Sequence, residues 1–388
     1  MKQSLLIGCI IVLSSLAVGL AGSSSSRSVV LPAVANWLIN DGNKVFALLE
    51  NGDVISSSGS SLTKISSGWS SDAPISFAHG RLHGISSTGE LRVLENGKTA
   101  SSVSAKLSKN SGLLALPAGV IAITESGDLV RLESQGSSWE ITARAKVDAL
   151  GDGRVALADL EGNGDGAVVA LLKPSATRYK HGVLGDTLEP TAVAVFERHS
   201  LTELWRLELP APFVFEDIQP RAVKIAGKDK LVLVRSSPTG GAALSMIGLE
   251  KNKLELVASP DFGQANRWLN PLVGAGEIYS VLTPHIGGML TRYALQNGKL
   301  EQIKLALGVS SHSIGSRNLE TGLVLKAGRI VLPTQDHTSL LQLECGEKSC
   351  KIRAQNEFKM AYSSNLILAG DALVMADDAR NLNFILLE

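Results

Sequence analysis

Apolar residues in this chain come in short runs rather than helical stripes. Beyond residue 21, no stretch keeps apolar side chains at i, i+3, i+4 and i+7 over three turns, as an amphipathic helix requires. Runs of Val, Ile, Leu and Ala recur instead, each closed by Gly, Asn, Asp or Ser, which is the pattern of strands and turns. The runs also repeat. Lys44-Val45-Phe46-Ala47-Leu48-Leu49 leads into Glu50-Asn51-Gly52 and then Asp53-Val54-Ile55. Arg81-Leu82-His83-Gly84-Ile85 leads into Ser86-Ser87-Thr88-Gly89 and then Glu90-Leu91-Arg92-Val93-Leu94. Gly119-Val120-Ile121-Ala122-Ile123 leads into Thr124-Glu125-Ser126-Gly127 and then Asp128-Leu129-Val130-Arg131-Leu132. Each unit is a buried strand, a polar turn ending in Gly, and a strand with alternating faces. The units start near Val45, Leu82 and Val120, 37 and 38 residues apart.

The same grammar continues with longer loops through 166–209, 230–258, 277–305 and 329–354, and a last copy over 371–387 stops one strand short. A period of about 40 residues with several strands per unit predicts an all-β fold, a β-propeller. Seven full units and one composite predict eight blades, with seven as the alternative. The segment 29–34 is available to supply the strand missing from the last unit, and such closure removes sheet edges. A pair of β-sandwiches accommodates the strands but not the period. The five Trp residues, at 37, 69, 139, 205 and 268, follow the units loosely and are expected between blades.

The N-terminus changes the compartment. Lys2 is its sole charge, an apolar stretch covers 5–20, and Gly19 and Ala21 offer small residues at −3 and −1 of a cut after Ala21. That pattern predicts a signal peptide at 1–21, a flexible Ser-rich linker at 22–28 and a single propeller domain at 29–388. An uncleaved N-terminal anchor is the alternative. Leu6-Ile7-Gly8-Cys9 looks like a lipoprotein box but leaves almost no apolar core before Cys9. The mature chain contains no later stretch apolar enough to span a bilayer. An exported protein, periplasmic or secreted, is therefore expected. Cys345 and Cys350 remain outside the leader, and an even pair in an oxidising compartment predicts a disulfide stapling a hairpin. Half of a zinc site is the competing reading, but no further His or Cys lies at suitable spacing.

Charge narrows the partners. Lys plus Arg and Asp plus Glu each number 37, so the formal net charge is zero. This argues against nucleic acid, whose phosphates call for excess basic charge. The hydrophobic fraction of 44% and charged fraction of 19% are those of a folded protein.

One segment, Ala158-Asp159-Leu160-Glu161-Gly162-Asn163-Gly164-Asp165-Gly166-Ala167-Val168-Val169-Ala170, resembles the FG-GAP or VCBS repeat of integrin-like propellers. The resemblance implies a Ca²⁺ held by oxygens at alternate positions of a Gly-rich turn, here Asp159, Glu161 and Asn163 with Asp165 compensating for Ala167. A second segment, Phe196-Glu197-Arg198-His199-Ser200-Leu201-Thr202-Glu203-Leu204-Trp205-Arg206, is similar to the strand-turn-strand of quinoprotein-like propellers, outer-membrane assembly scaffolds included.

Other motifs fail. Gly97-Lys98-Thr99 ends like a P-loop, but Arg92 stands where the first Gly belongs. Gly151-Asp152-Gly153-Arg154-Val155-Ala156 fits a loose dinucleotide pattern yet leads into a strand, leaving no helix N-terminus for a pyrophosphate. There is no Gly-x-Ser-x-Gly elbow and no His-Glu-x-x-His helix. A polar cluster remains. His285, His312, Arg317, Asp336 and His337 fall in loops of adjacent units, and His285 and His337 follow comparable buried strands. One face of the ring is expected to collect them as a ligand face. The reading favoured by these features is a monomeric, non-catalytic binding or scaffold propeller for an envelope protein or glycan. The alternative is an envelope hydrolase or lyase working through His285, His312, Asp336 and His337.

Overall fold

The computed structural model describes residues 26–388 apart from 137, 175–176 and 327. The expected signal peptide and residues 22–25 of the linker lie outside the described residues. Eight antiparallel sheets form a ring of eight blades. Blade 1 is built from Ala35–Asn40, Val45–Leu49, Val54–Ser58 and Ser61–Ser66, in order from the axis outwards. Blades 2, 3, 4, 6 and 7 repeat this meander. In blade 5 the innermost position is shared by Val214–Phe215 and Arg221–Ile225, which pair with different parts of Lys228–Ser237. Blade 8 takes Ile367–Ala369, Ala372–Ala376 and Asn381–Leu386 from the C-terminus and Ser26–Val30 from the N-terminus. That closing strand pairs antiparallel with Asn381–Leu386 and lies earlier than the 29–34 expected from the sequence.

Burial follows position in the blade. Second strands are sandwiched between neighbouring blades, so Val45–Leu49, Gly119–Ile123 and Ala167–Leu172 are buried on both faces and carry continuous apolar runs. Outer strands lie at the rim and alternate or turn polar, as in Ser138–Lys146 and Glu203–Glu208. Trp37, Trp69, Trp139 and Trp268 are buried in the interior, whereas Trp205 is half-buried. Cys345 and Cys350 are joined, with S–S at 2.03 Å, and close the hairpin between Ser339–Cys345 and Cys350–Glu357. A loop this short contributes about 2 kcal/mol through the unfolded chain.

The polar turn ending in Gly has a specific task. Gly52, Gly89 and Gly127 have φ of 78°, 78° and 86°, a region that favours glycine. Each presents its carbonyl to the connector entering the next blade. Trp69 N–H donates to Gly52 O at 3.1 Å, Leu107 N–H to Gly89 O at 2.8 Å, and Ala149 N–H to Gly127 O at 2.8 Å. The connector passes so close that a Cβ on Gly52 would sit 2.5 Å from Trp69 O. At the ring junction Arg380, with φ of 65°, takes the glycine's place, and Leu31 N–H donates to its carbonyl at 2.8 Å. A buried side chain adds a second lock there. Asn365 Oδ1 accepts from Leu38 N–H at 2.7 Å while its Nδ2 donates to Leu38 O at 3.0 Å.

Gly52→Ala should therefore lower stability by about 1–3 kcal/mol, through strained φ and displacement of the connector. Urea unfolding followed by Trp fluorescence checks this; an unchanged midpoint would show that the clamp between blades 1 and 2 is dispensable.

Candidate functional site

The meander fixes which loops share a face. Connectors between blades and turns between second and third strands lie on one face, called here the connector face. Turns between first and second and between third and fourth strands lie on the opposite face.

His285, His312 and His337 come together on the connector face. His285 sits in the second turn of blade 6, His312 in the connector 308–322, and His337 in the second turn of blade 7. His312 Nε2 lies 2.8 Å from Ser316 O, a carbonyl that only accepts, so Nε2 carries the proton and donates. Its Nδ1 is then an acceptor, and His285 Nε2–H donates to it at 2.8 Å. Trp268 lies under both rings, parallel to His285 at 6.1 Å and tilted to His312 at 4.7 Å. Ser310 hydroxyl donates to Pro284 O at 3.0 Å, leaving its oxygen to accept from His337 Nε2 at 2.9 Å. Burial holds His312 down to about 3, and the neighbouring His285 and His337 add to this against the Ser316 carbonyl. Burial first, then His337, brings His285 down to about 4. His337 is lowered by burial as well. The cluster is thus a neutral, internally bonded core under the loops.

Asp336 does not join it. Its Oδ1 accepts from Thr334 Oγ1 at 2.6 Å and from Thr338 N–H at 3.2 Å, closing its own turn. The side-chain bond to Thr334, with the Thr338 amide, holds the carboxyl below its usual range. Neither His312 nor His337 is bonded to Asp336, so the acid–base arrangement of the hydrolase or lyase reading is not assembled among the described residues. Arg317 is engaged elsewhere, its Nε 2.8 Å from Asp152 and its terminal nitrogen 3.2 Å from Asp186.

Arg154 escaped the sequence reading although it stands in the rejected dinucleotide-like stretch. The residue is buried at the axis, where it joins four blades. One terminal nitrogen donates to Gln219 Oε1 at 2.7 Å and to Glu320 Oε1 at 3.1 Å, while the other donates to Arg317 O at 2.6 Å. The guanidinium lies 4.9 Å from the centre of the Trp37 ring, and Gln219 Nε2 closes the triangle with Glu320 at 2.8 Å. Gln219 and Glu320 of this group also line a cavity of about 320 Å³, lined further by Ile39, Ile75, Leu272, Leu323 and Ile367.

Near Arg154 lies a buried acidic group. Glu216 contacts His181 Nδ1 and accepts from Ser236 Oγ at 2.5 Å, and Asp217 pairs with Arg221 at 2.9 Å. Burial raises both carboxyls, against these partners. Glu189 has no such partner among the described residues. Burial and then the charges of Glu216, Asp186, Asp152 and Asp217 hold its carboxyl well above the ordinary value.

The calcium-type turn lies on the opposite face, in blade 4. Asp159 Oδ1 accepts from Gly162 N–H at 2.8 Å and Asn163 N–H at 3.0 Å, and Oδ2 accepts from Gly164 N–H at 3.1 Å. Lys224 Nζ stands 3.6 Å from the same Oδ2. Slight desolvation raises the Asp159 carboxyl, and the three amides outweigh it and leave it lowered. Asn163 Nδ2 donates to Glu161 at 3.1 Å, and Asp165 faces Arg198 at 3.3 Å. Backbone amides and an ammonium thus occupy the oxygens that a calcium cage would aim at its ion. Among the described residues no three His, Cys, Asp or Glu side chains converge as a metal site. The arrangement does not fit Ca²⁺.

Solved structures share this architecture. BamB from Moraxella catarrhalis is similar with a TM-score of 0.61 at 12% identity, over 95% of this chain and 100% of that one. Sqt1 from Saccharomyces cerevisiae gives 0.63 at 12%, over 95% and 100%. The quinohemoprotein alcohol dehydrogenase from Comamonas testosteroni gives 0.58 at 10%, over 94% of this chain and 76% of that one. At such identities the likeness defines the fold: this chain is an eight-bladed β-propeller. No protein-family model and no curated protein matches the sequence, so the FG-GAP or VCBS resemblance rests on residues 158–170 alone.

Two expectations follow. The unfolded chain protonates His312 near 6.5 and the folded chain only near 3. Its contribution to stability is therefore complete above pH 6.5 and drains as pH falls towards 3. Glu189, whose folded pKa is raised, contributes fully below 4.5 and loses that contribution as pH rises. Urea midpoints from pH 4 to 7 should thus show a flatter acid limb in His312→Gln. Glu189→Gln should gain on the wild type more at pH 7 than at pH 4, by a few kcal/mol at most. For the blade 4 turn, the melting temperature should be unmoved by millimolar Ca²⁺ or by chelator. A rise with Ca²⁺ that is lost in Asp159→Asn would restore the metal site.

Proposed function

We propose that this chain is an exported, non-catalytic binding propeller of the cell envelope that grips a protein or glycan partner on its connector face around blades 6 to 8. The carrying observation is the contrast on that face between satisfied chemistry and exposed apolar anchors. The histidines and Asp336 are bonded within the protein, so no acid–base pair is poised for a substrate. Around them Ile286 is 70% exposed, Ile314 73% and Met360 54%, each held out on a loop. Exposed large apolar side chains beside a polar rim are the usual make-up of a recognition surface. The leader pattern and the Cys345–Cys350 bond support export. No helix among the described residues is long and apolar enough to cross a membrane.

The test is cross-linking capture from envelope extracts, with wild type beside Ile286→Asp, Ile314→Asp and Met360→Asp. One saturable partner, protein or glycan, should be retained by the wild type and lost in at least two variants at unchanged melting temperature. Retention of the same partner by all three variants would place the binding surface elsewhere, and turnover of any captured glycan would restore the enzyme reading.

A further inference from the structure

Between blades 1 and 2, towards the face opposite the connectors, lies a hollow of about 470 Å³. One position of the repeat accounts for it. Four residues beyond the turn glycines Gly89 and Gly127 stand Val93 and Arg131, both buried. Arg131 reaches across to Arg198 O of blade 4 at 2.8 Å. Four residues beyond Gly52 stands Ser56. Ser56 pairs with Phe46 and Thr63 across the strands of blade 1, and Ser58 pairs with Ser61. The row of blade 2 that lines the hollow is Phe77, Leu82 and Leu94. Short hydroxyl side chains thus face large apolar ones, and the two blades leave the space between them unfilled. Phe46 bridges it by stacking on Phe77, with 5.7 Å between ring centres.

The lining runs across the strands, from Phe77 on the first strand of blade 2 to Thr63 on the last strand of blade 1. Neighbouring strands lie about 4.8 Å apart, so three spacings cover about 14 Å, the reach of about four extended residues. The shape is that of a groove for a chain segment. Its apolar wall continues the buried cluster between the two blades, to which Phe46, Leu82 and Leu94 belong. Ser58, Ser61 and Thr63 on the other wall are exposed.

Charge selects the occupant. Lys44, Lys64 and Lys98 line the groove against one carboxylate, Asp41. Asp41 Oδ1 accepts from the amides of Asn43 at 2.8 Å and Lys44 at 2.7 Å, closing its own turn. Lys64 is paired with Asp53 at 2.8 Å, and Glu95, next to the groove, faces Arg81 at 3.4 Å. Lys44 and Lys98 are exposed and have no acidic partner among the described residues. A basic segment would meet two free ammonium groups, and a purely polar one would leave Phe77, Leu82 and Leu94 uncovered. In an extended segment alternate side chains point the same way. One that alternates apolar and acidic residues sets the first against the apolar wall and the second beside Lys44 and Lys98. Its main chain then has the hydroxyls of Ser58, Ser61 and Thr63 as donors and acceptors.

We propose that this groove docks an extended segment of another protein in which large apolar residues alternate with Asp or Glu. The site goes beyond the binding reading above and lies on the other face of the ring. The probes are an array of labelled hexapeptides alternating Asp or Glu with Leu, Ile, Phe or Trp, read by fluorescence anisotropy against the full chain. Counterparts with Lys for the acids, counterparts with Ser for the apolar residues, and dodecanoate as a small amphipathic anion are the controls. At least one acidic–apolar peptide should bind saturably, weaken as salt is added and outbind both of its counterparts. Lys44→Glu and Lys98→Glu should each weaken it about fivefold, at unchanged melting temperature because both side chains are exposed. Ser56→Phe, which fills the groove, should abolish binding without lowering the melting temperature, and Ile286→Asp should leave binding unchanged. No acidic–apolar peptide bound, equal binding of either counterpart, or binding of dodecanoate in place of every peptide would overturn the proposal. So would a bound peptide indifferent to both lysine variants, which decide the matter even if Ser56→Phe fails to fold. Capture through Ile286, Ile314 and Met360 reads the connector face, so either reading falls without the other.

Discussion

The ring depends on a bond between a turn carbonyl of one blade and an amide of the connector entering the next. It recurs from Gly52 to Trp69, Gly89 to Leu107, Gly127 to Ala149, Gly288 to Val309 and, at the junction, Arg380 to Leu31. Apolar burial between blades supplies most of the adhesion, but burial alone sets no angle. The clamp does, because backbone bonds directly to backbone there, most closely at the glycines. Everything on the connector face inherits its position from this spacing. The connectors that carry Asp152, Arg154, His312, Arg317 and Thr321 are the segments being clamped or those continuing from them.

That constraint explains how much could be read from the sequence. The Gly-closed turns and the doubly buried second strands leave a strong mark, and so the period, the composite last blade and the disulfide were legible. The innermost strands were not. Ser76–Ala78, Leu114–Leu116, Leu323–Val324 and Ile367–Ala369 have two or three residues each, too short for a period to register. The convergence of His285 and His337 could be foreseen because each follows a buried strand at the same point of its unit. Their chemistry could not: whether a histidine titrates or is locked neutral depends on partners such as Ser316 O and Ser310 Oγ, set by the packing of blades 6 and 7.

Arg154 shows the limit more sharply. A buried arginine at the axis draws its partners from positions 37, 219, 317 and 320, and no local spacing announces such a set. The Asp159 turn is the converse case. Its residues carry a calcium-binding pattern, but what surrounds them, including Lys224 from the next blade, satisfies the oxygens by other means.

The closing strand also has a consequence in time. Ser26–Val30 is among the first described residues to leave the ribosome, and its partner Asn381–Leu386 is nearly the last. The Leu38–Asn365 lock spans 327 residues. Seven blades can stack as they are made, but the ring cannot shut until the chain is whole, and closing so long a loop is slow. Until then both ends are open sheet edges able to pair with another copy. Closure therefore requires one molecule's own Ser26–Val30 and Asn381–Leu386 to meet before either meets the open edge of a neighbour.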